Sequence, residues 1–273
     1  MSDLAITHPP LSSTTGRANR HGVAAAAALG GRALRLSLRN VDGLVTALAL
    51  PIMLMLLFVY LFGGAIDTGG RYVDYVVSGV LIVCAGFGAA TTAVTVSHDL
   101  SSGIIDRFRS IDVRGEVLVA SHVAASVARN VVSTTLVLAV AVAIGFRPHA
   151  SAAAWFAAIG ILVLFVLALS WWSAAIGIVA RSPEAASGFG FFVSFLPYPS
   201  SAFVPVSTMP SWMRGFATHQ PVSAVVDSLR ALLMGSHAPA GVHARPLEAV
   251  AWSLAIIVGS MVLAGVLFRR RVG

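Results

Sequence analysis

Three features of this 273-residue chain predict an all-α integral membrane protein with six transmembrane helices and both termini on the cytoplasmic side. The first is composition: 57% hydrophobic, 11% charged and a mean hydropathy of +0.87, where a soluble domain carries about a quarter charged residues. The second is a set of six apolar runs, each near the roughly 20 residues that a helix needs to cross the hydrocarbon. The third is the placement of the arginines, which supply all 18 cationic side chains because lysine is absent. They sit at the ends of apolar runs rather than on one soluble face. The net charge of +7 therefore reflects membrane topology and does not point to nucleic acid. No polar tract is long enough for a separate soluble domain, and the single cysteine, Cys84, excludes an internal disulfide framework.

The elements follow in order. Residues 1–21 are polar and proline-containing, without the apolar core of a signal peptide, and read as a disordered cytoplasmic tail. The membrane domain is expected over 22–273. It begins with Gly22–Val41, where Arg32, Arg35 and Arg39 share one helical face and Leu34, Leu38 and Val41 the other. Such a stretch is an interfacial helix on the inner leaflet or a plain positive-inside anchor. The spans are expected near 44–63, 75–97, 123–146, 155–180, 188–206 and 248–268. With the N-terminus inside, the inner segments hold twelve arginines and the outer segments five, with Arg129 left within the third run. Trp155, Trp212 and Trp252 then share the outer interface, as an aromatic belt requires.

Two connecting stretches are richer than a turn requires. His98–Leu118, between the second and third runs, carries Asp99, Asp106, Arg107, Arg109, Asp112, Arg114 and Glu116. It also places Ile104, Phe108 and Ile111 on one helical edge. It reads as a docking surface for a cytoplasmic partner or as a solvated loop whose charges orient the protein. The second stretch, 207–235, breaks up between apolar runs. Pro205 precedes it and Pro210 interrupts it, Trp212 and Phe216 anchor it, and Pro221 suits a first helical position with Gly235 as the stop. Val225, Val226, Leu229, Leu232 and Leu233 form an apolar stripe, with Asp227 and Arg230 free to pair on the other face. A helix this short and amphipathic predicts a re-entrant or interfacial hairpin on the outer side, before the last span.

The search for chemistry mostly excludes. Without lysine there is no phosphate-binding loop of the form G-x-x-x-x-G-K-[ST] and no Schiff-base cofactor. H-E-x-x-H and G-x-S-x-G are also absent. His237 and His243 share an outer loop as solvated residues or as two ligands short of a metal site, so no metal and no cofactor are expected. Asp74 and Glu248 sit at span edges, where no special role is expected. Arg129 either snorkels to the inner surface or contacts another helix or the translocation path. Phe189, Phe191, Phe192 and Phe195 either line an apolar substrate route or face lipid and neighbouring helices. Trp171 and Trp172 read as packing residues.

The order of parts and two segments, DLSSGIIDRFRS (Asp99–Ser110) and FVPVSTMPSWMRGFATHQPVSAVVDSLRALL (Phe203–Leu233), resemble the permease subunit of type-2 ABC exporters. The resemblance is closest to the daunorubicin-resistance branch. It covers about 41–271 and departs from the family pattern at Ile111-Asp112-Val113. It implies a non-enzymatic permease in the bacterial cytoplasmic membrane, paired with a second copy or a related permease. Such a pair exports amphipathic drugs, lipids or secondary metabolites. A separate ATPase subunit would carry ATP and Mg and dock on the charged loop (Asp99, Ile104, Asp106, Arg107, Phe108, Arg109, Asp112, Arg114, Glu116) and on the helix bearing Arg32, Arg35 and Arg39. The alternative is an ion-coupled secondary multidrug carrier, which requires a buried titratable residue in the spans.

Overall fold

The computed structural model describes residues 41–102, 115–239 and 242–272, and all regular structure among them is helical. Helix α1 (Val41–Leu57) contains Pro51 and ends in a π-helical turn, Phe58–Phe62. Helices α2 (Tyr72–Ser101), α3 (Gly115–Ala143) and α4 (Ala152–Val179) follow, then the shorter α5 (Pro183–Phe195). A 3-10 turn (Val206–Thr208), α6 (Ser211–His219) and α7 (Pro221–Met234) make up the hairpin, and α8 (Pro246–Val272) closes the chain. Of these, α2, α3, α4 and α8 are long and apolar enough to cross a membrane, while the apolar part of α1, Leu48–Phe62, is shorter. The tail, the segment expected to form the interfacial helix up to Asn40 and most of the charged loop lie outside the described residues.

Local chemistry fixes several boundaries. Ser151 caps α4 by accepting from the Ala154 amide at 3.2 Å, and Ser182 caps α5 by accepting from Ala185 at 3.2 Å. Pro183 and Pro221 occupy the first turns of α5 and α7, where a missing N–H costs nothing. Gly235 ends α7 at φ +54°, a left-handed conformation that glycine adopts without strain.

Helices cover five of the six expected runs, four of them long and apolar enough to cross a membrane, though α3 starts at Gly115, well before its expected span. The fifth differs. The apolar run continues to Val206, but its helix stops at Phe195, because Pro197 and Pro199 lack amides and cannot extend the ladder. Thirteen residues of helix rise about 20 Å, short of the ~30 Å hydrocarbon core. The chain completes this stretch as turns over 196–204.

Helix α2 is the shared wall of the bundle. Every residue from Tyr72 to Gly86 is buried, and the helix touches α1, α3, α4, α5 and α7. Small residues allow these approaches. A Cβ on Gly79 would lie 2.5 Å from the Ala202 carbonyl oxygen, one on Gly88 would meet the Asn130 side chain, and one on Gly177 of α4 would lie 2.5 Å from the Ala93 carbonyl oxygen. Helix α8 is covered on one stripe only, Ala249, Ser253, Ile257, Ser260 and Ala264, while Leu254, Val258 and Val262 face outward.

The contact at Gly79 sets a packing test. Gly79→Ala must push α2 away from the 196–204 turns and should cost about 1–3 kcal/mol, read as a lower unfolding temperature in detergent. Gly160→Ala, in an α4 position with no neighbour within 4 Å, should be neutral or stabilising.

Candidate functional site

The hairpin end of the bundle is organised by one guanidinium. Arg230 of α7 has no solvent exposure. Its Nε donates to the Tyr75 carbonyl at 2.9 Å, and its Nη2 donates to the carbonyls of Ser201 at 2.9 Å and Ala202 at 3.4 Å. Its Nη1 donates to Asp227 Oδ1 at 3.1 Å, and the group stacks 3.6 Å over the Tyr75 ring. Two tyrosines of α2 complete the cover: Tyr75 OH donates to the Ser201 carbonyl at 2.9 Å, and Tyr72 OH to the Phe203 carbonyl at 2.7 Å. Ser223 accepts from the Ser201 amide at 3.1 Å. The backbone groups that 196–204 withdraws from helical pairing are thus met by α2 and α7. Burial lowers the Arg230 pKa, and Tyr75, Asp227 and Tyr72 oppose that shift only in part. A guanidinium keeps its proton under such opposing pulls.

Arg230 begins a chain of alternating charge. Asp227 accepts from Ser201 Oγ at 2.7 Å and from Arg245 Nη2 at 3.0 Å, besides Arg230. Arg245, just before α8, also donates to the Thr218 carbonyl of α6 at 2.7 Å and pairs with Glu248 at 3.2 Å. Two guanidiniums and two carboxylates therefore tie α6, α7, α8 and the broken fifth segment together. The expected Asp227–Arg230 pair forms, but on a buried face, because α2, α4, α6 and α8 all pack against α7. Glu248, expected to have no special role, is the last member of this chain, and Asp74 pairs with Arg71 at 2.9 Å. The other hairpin positions are structural or outward. Pro205 and Pro210 precede helical turns, and Trp212 is 78% exposed beside Phe216.

In the middle of the bundle, half-buried Arg129 reaches across to α2. Its Nη2 donates to Thr91 Oγ1 at 2.7 Å and to the Gly88 carbonyl at 3.2 Å. Neighbouring Asn130 is fully buried over Gly88, and Ser170 donates to Ser126 at 2.9 Å, forming a polar seam between α2, α3 and α4. Phe189, Phe191, Phe192 and Phe195 all face outward on α5. Phe191 and Phe195 also join a run of ring contacts, through Tyr198, Phe203 and Phe58 to Phe62, at centroid spacings of 4.5–5.5 Å. His237 stacks on His149 at 4.1 Å, a partner from the α3–α4 connection that its own loop gives no hint of.

At the opposite end, Asp99 closes α2 and faces His122 of α3 at 2.9 Å. Of the other expected docking residues, Arg32, Arg35, Arg39, Ile104, Asp106, Arg107, Phe108, Arg109, Asp112 and Arg114 lie outside the described residues, and Glu116 lies in the first turn of α3. Tyr72, Tyr75, Ser201, Arg245 and His122 were not singled out in the sequence. The i,i+3 spacings of Tyr72 with Tyr75 and of Arg245 with Glu248 are the local signals that mark most of them.

The model of the family described as ABC-2 type transporter matches residues 25–234. The chain belongs to that family. It is 30% identical over 195 residues to the daunorubicin resistance ABC transporter permease protein of Streptomyces coeruleorubidus, covering 71% of this chain and 69% of the relative. It is 23% identical over 199 residues to the probable doxorubicin resistance ABC transporter permease protein of Mycobacterium tuberculosis, covering 72% of each. The broken fifth segment and its arginine clamp therefore belong to a membrane permease subunit of ABC-exporter type.

The clamp makes a sharp prediction for this permease. Asp227→Ala leaves the fully buried Arg230 without a carboxylate and Arg245 with Glu248 alone, and should cost about 3–5 kcal/mol, seen as lost folded protein in membranes. Arg230→Lys keeps the charge but cannot present Nε and both Nη groups to three elements, so it should rescue little.

Proposed function

We propose that this permease moves amphipathic drugs, lipids or secondary metabolites out of a bacterial cell, energised by a separate ATPase subunit that binds ATP and Mg. The observation that carries the reading is the combination of ABC-2 membership with a chain that has no lysine and so no phosphate-binding loop. The names of the relatives, which refer to daunorubicin and doxorubicin resistance, support flat amphipathic drugs as cargo. The chain crosses the cytoplasmic membrane six times. In the fifth crossing α5 supplies the inner part and the turns over 196–204 the outer part. Both termini face the cytoplasm, in keeping with the arginine bias. The hairpin α6–α7 lies at the outer leaflet, with Trp212 in the interface beside lipid headgroups. The charged loop between α2 and α3 and the arginine-bearing N-terminal helix dock the ATPase, and the working unit pairs two permeases.

Two measurements test this. The first is orientation: Ser236→Cys, at the hairpin end, should react with a membrane-impermeant thiol reagent added outside intact cells. Ser102→Cys should react only after the inner face is opened; both positions are exposed. Cys84 is buried and supplies a quiet background. The second is docking: the purified permease should retain its ATPase subunit and show drug-stimulated hydrolysis. Reversing Arg107 and Arg109 to Glu should weaken that retention roughly tenfold or more, as loss of charge complementarity does. Undiminished retention in the reversed variant would overturn the docking surface.

A further inference from the structure

The neck of the charged loop is closed by a carboxylate and an imidazole from its two ends. Asp99 lies in the last turn of α2 and His122 in the second turn of α3, with His122 Nε2 2.9 Å from Asp99 Oδ2. At that separation the imidazole and the carboxylate are in direct polar contact across the neck. His98 Nδ1 approaches the other carboxylate oxygen at 3.7 Å. His98 is 66% exposed, whereas Asp99 and His122 are 21% and 14% exposed and turned inward. Beneath them Val96, Val119, Val123, Ala174, Ile178 and Ala264 form an apolar cluster shared by α2, α3, α4 and α8. In such surroundings a carboxylate and an imidazole interact more strongly than at a wet surface, and removing either one leaves the other poorly solvated.

We infer that Asp99 and His122 are positioning residues for energy coupling, clasping the neck so that α2 and α3 move as one when the loop is displaced. The inference rests on the proposed ATPase-driven function. Helix α2 runs unbroken for 30 residues, about 45 Å, and contains no proline. Its other end carries Tyr72 and Tyr75, whose hydroxyls hold the carbonyls of Phe203 and Ser201. A push on the loop reaches the hairpin end along this rod only if the neck does not open. With the clasp gone, the loop can swing the first turns of α3 while α2 stays in place. Asp99 thus acts on the docking loop from inside its neck, through His122.

The test compares wild type, Asp99→Asn, His122→Gln and the exchanged pair Asp99→His with His122→Asp, each as full-length permease. In nanodiscs without the ATPase, amide hydrogen exchange across 115–125 should speed up about tenfold in the single variants and return toward wild type in the exchanged pair. In proteoliposomes with the ATPase subunit, His122→Gln, whose residue lies outside the docking set, should keep that subunit and hydrolyse ATP at near wild-type rates. Doxorubicin moved per ATP should fall about tenfold, with recovery in the exchanged pair. Unchanged exchange in Asp99→Asn overturns the clasp. So does loss of the ATPase subunit from His122→Gln, which would make the pair part of the docking face itself. A wild-type permease that moves no doxorubicin with ATP counts against the proposed function, and the exchange arm still decides the clasp.

Discussion

Everything at the hairpin end depends on Arg230 reaching the carbonyls of a segment that has left its helix. A transmembrane chain cannot shed helical hydrogen bonds into lipid, where each orphaned group costs several kcal/mol. Here the breaks at Pro197 and Pro199 come where α2 and α7 cover the turns. The Ser201, Ala202 and Phe203 carbonyls all receive donors from Arg230, Tyr72 or Tyr75. Only a planar fork can serve the Tyr75, Ser201 and Ala202 carbonyls and Asp227 from one side chain. The cost of burying that charge is offset by Asp227, which in turn is held by Arg245 and Ser201. The unusual backbone and the buried charge therefore explain one another.

Helix α2 makes this arrangement possible because it is narrow where its neighbours must come close. Gly79 admits the Ala202 carbonyl and Gly88 admits Asn130, while Ala93 receives Gly177 of α4. In a membrane such contacts carry the association, since lipid offers helices no hydrophobic reason to pair. The same helix carries polar side chains at three depths. Tyr72 and Tyr75 engage the broken segment, Thr91 engages Arg129, and Asp99 engages His122. All three contacts cross to another element.

Hydropathy found five of the helices, α3 with its start well misplaced, because a long apolar run in a lysine-free chain has few alternatives to a helix. It failed at the fifth run for a physical reason: averaging over 188–206 registers apolar character and ignores amides. The two prolines were visible, but their consequence depends on whether other elements can cover the freed carbonyls. The Asp227–Arg230 pair was also legible, since three-residue spacing is a local property of a helix. Its burial was not, because burial is decided by α2, α4, α6 and α8 closing around α7. For Arg129 a contact with another helix was one of the readings left open, but its acceptor, the Gly88 carbonyl beside Thr91, lies 41 positions away in sequence and could not be named.

The two kinds of contact around the broken segment differ in what they allow. On the side of α2 and α7 the turns are fixed by directional bonds of 2.7–3.4 Å, each with one donor and one acceptor in register. A shift of one residue there would strand a buried charge and several carbonyls together. On the side of α1 and α5 the same turns are met by aromatic rings, Phe58 on Phe203 and Phe195 beside Tyr198, at 4.5–5.1 Å. Ring contacts favour several offset and tilted geometries of similar energy, so they tolerate sliding that a guanidinium fork does not. The segment is thereby welded to α2 and α7 and only rests against α1, while it continues directly from α5 with the Tyr198 amide donating to the Phe195 carbonyl at 3.1 Å. Any rearrangement that keeps Arg230 satisfied must carry the 201–203 backbone along with α2 and α7 as one body.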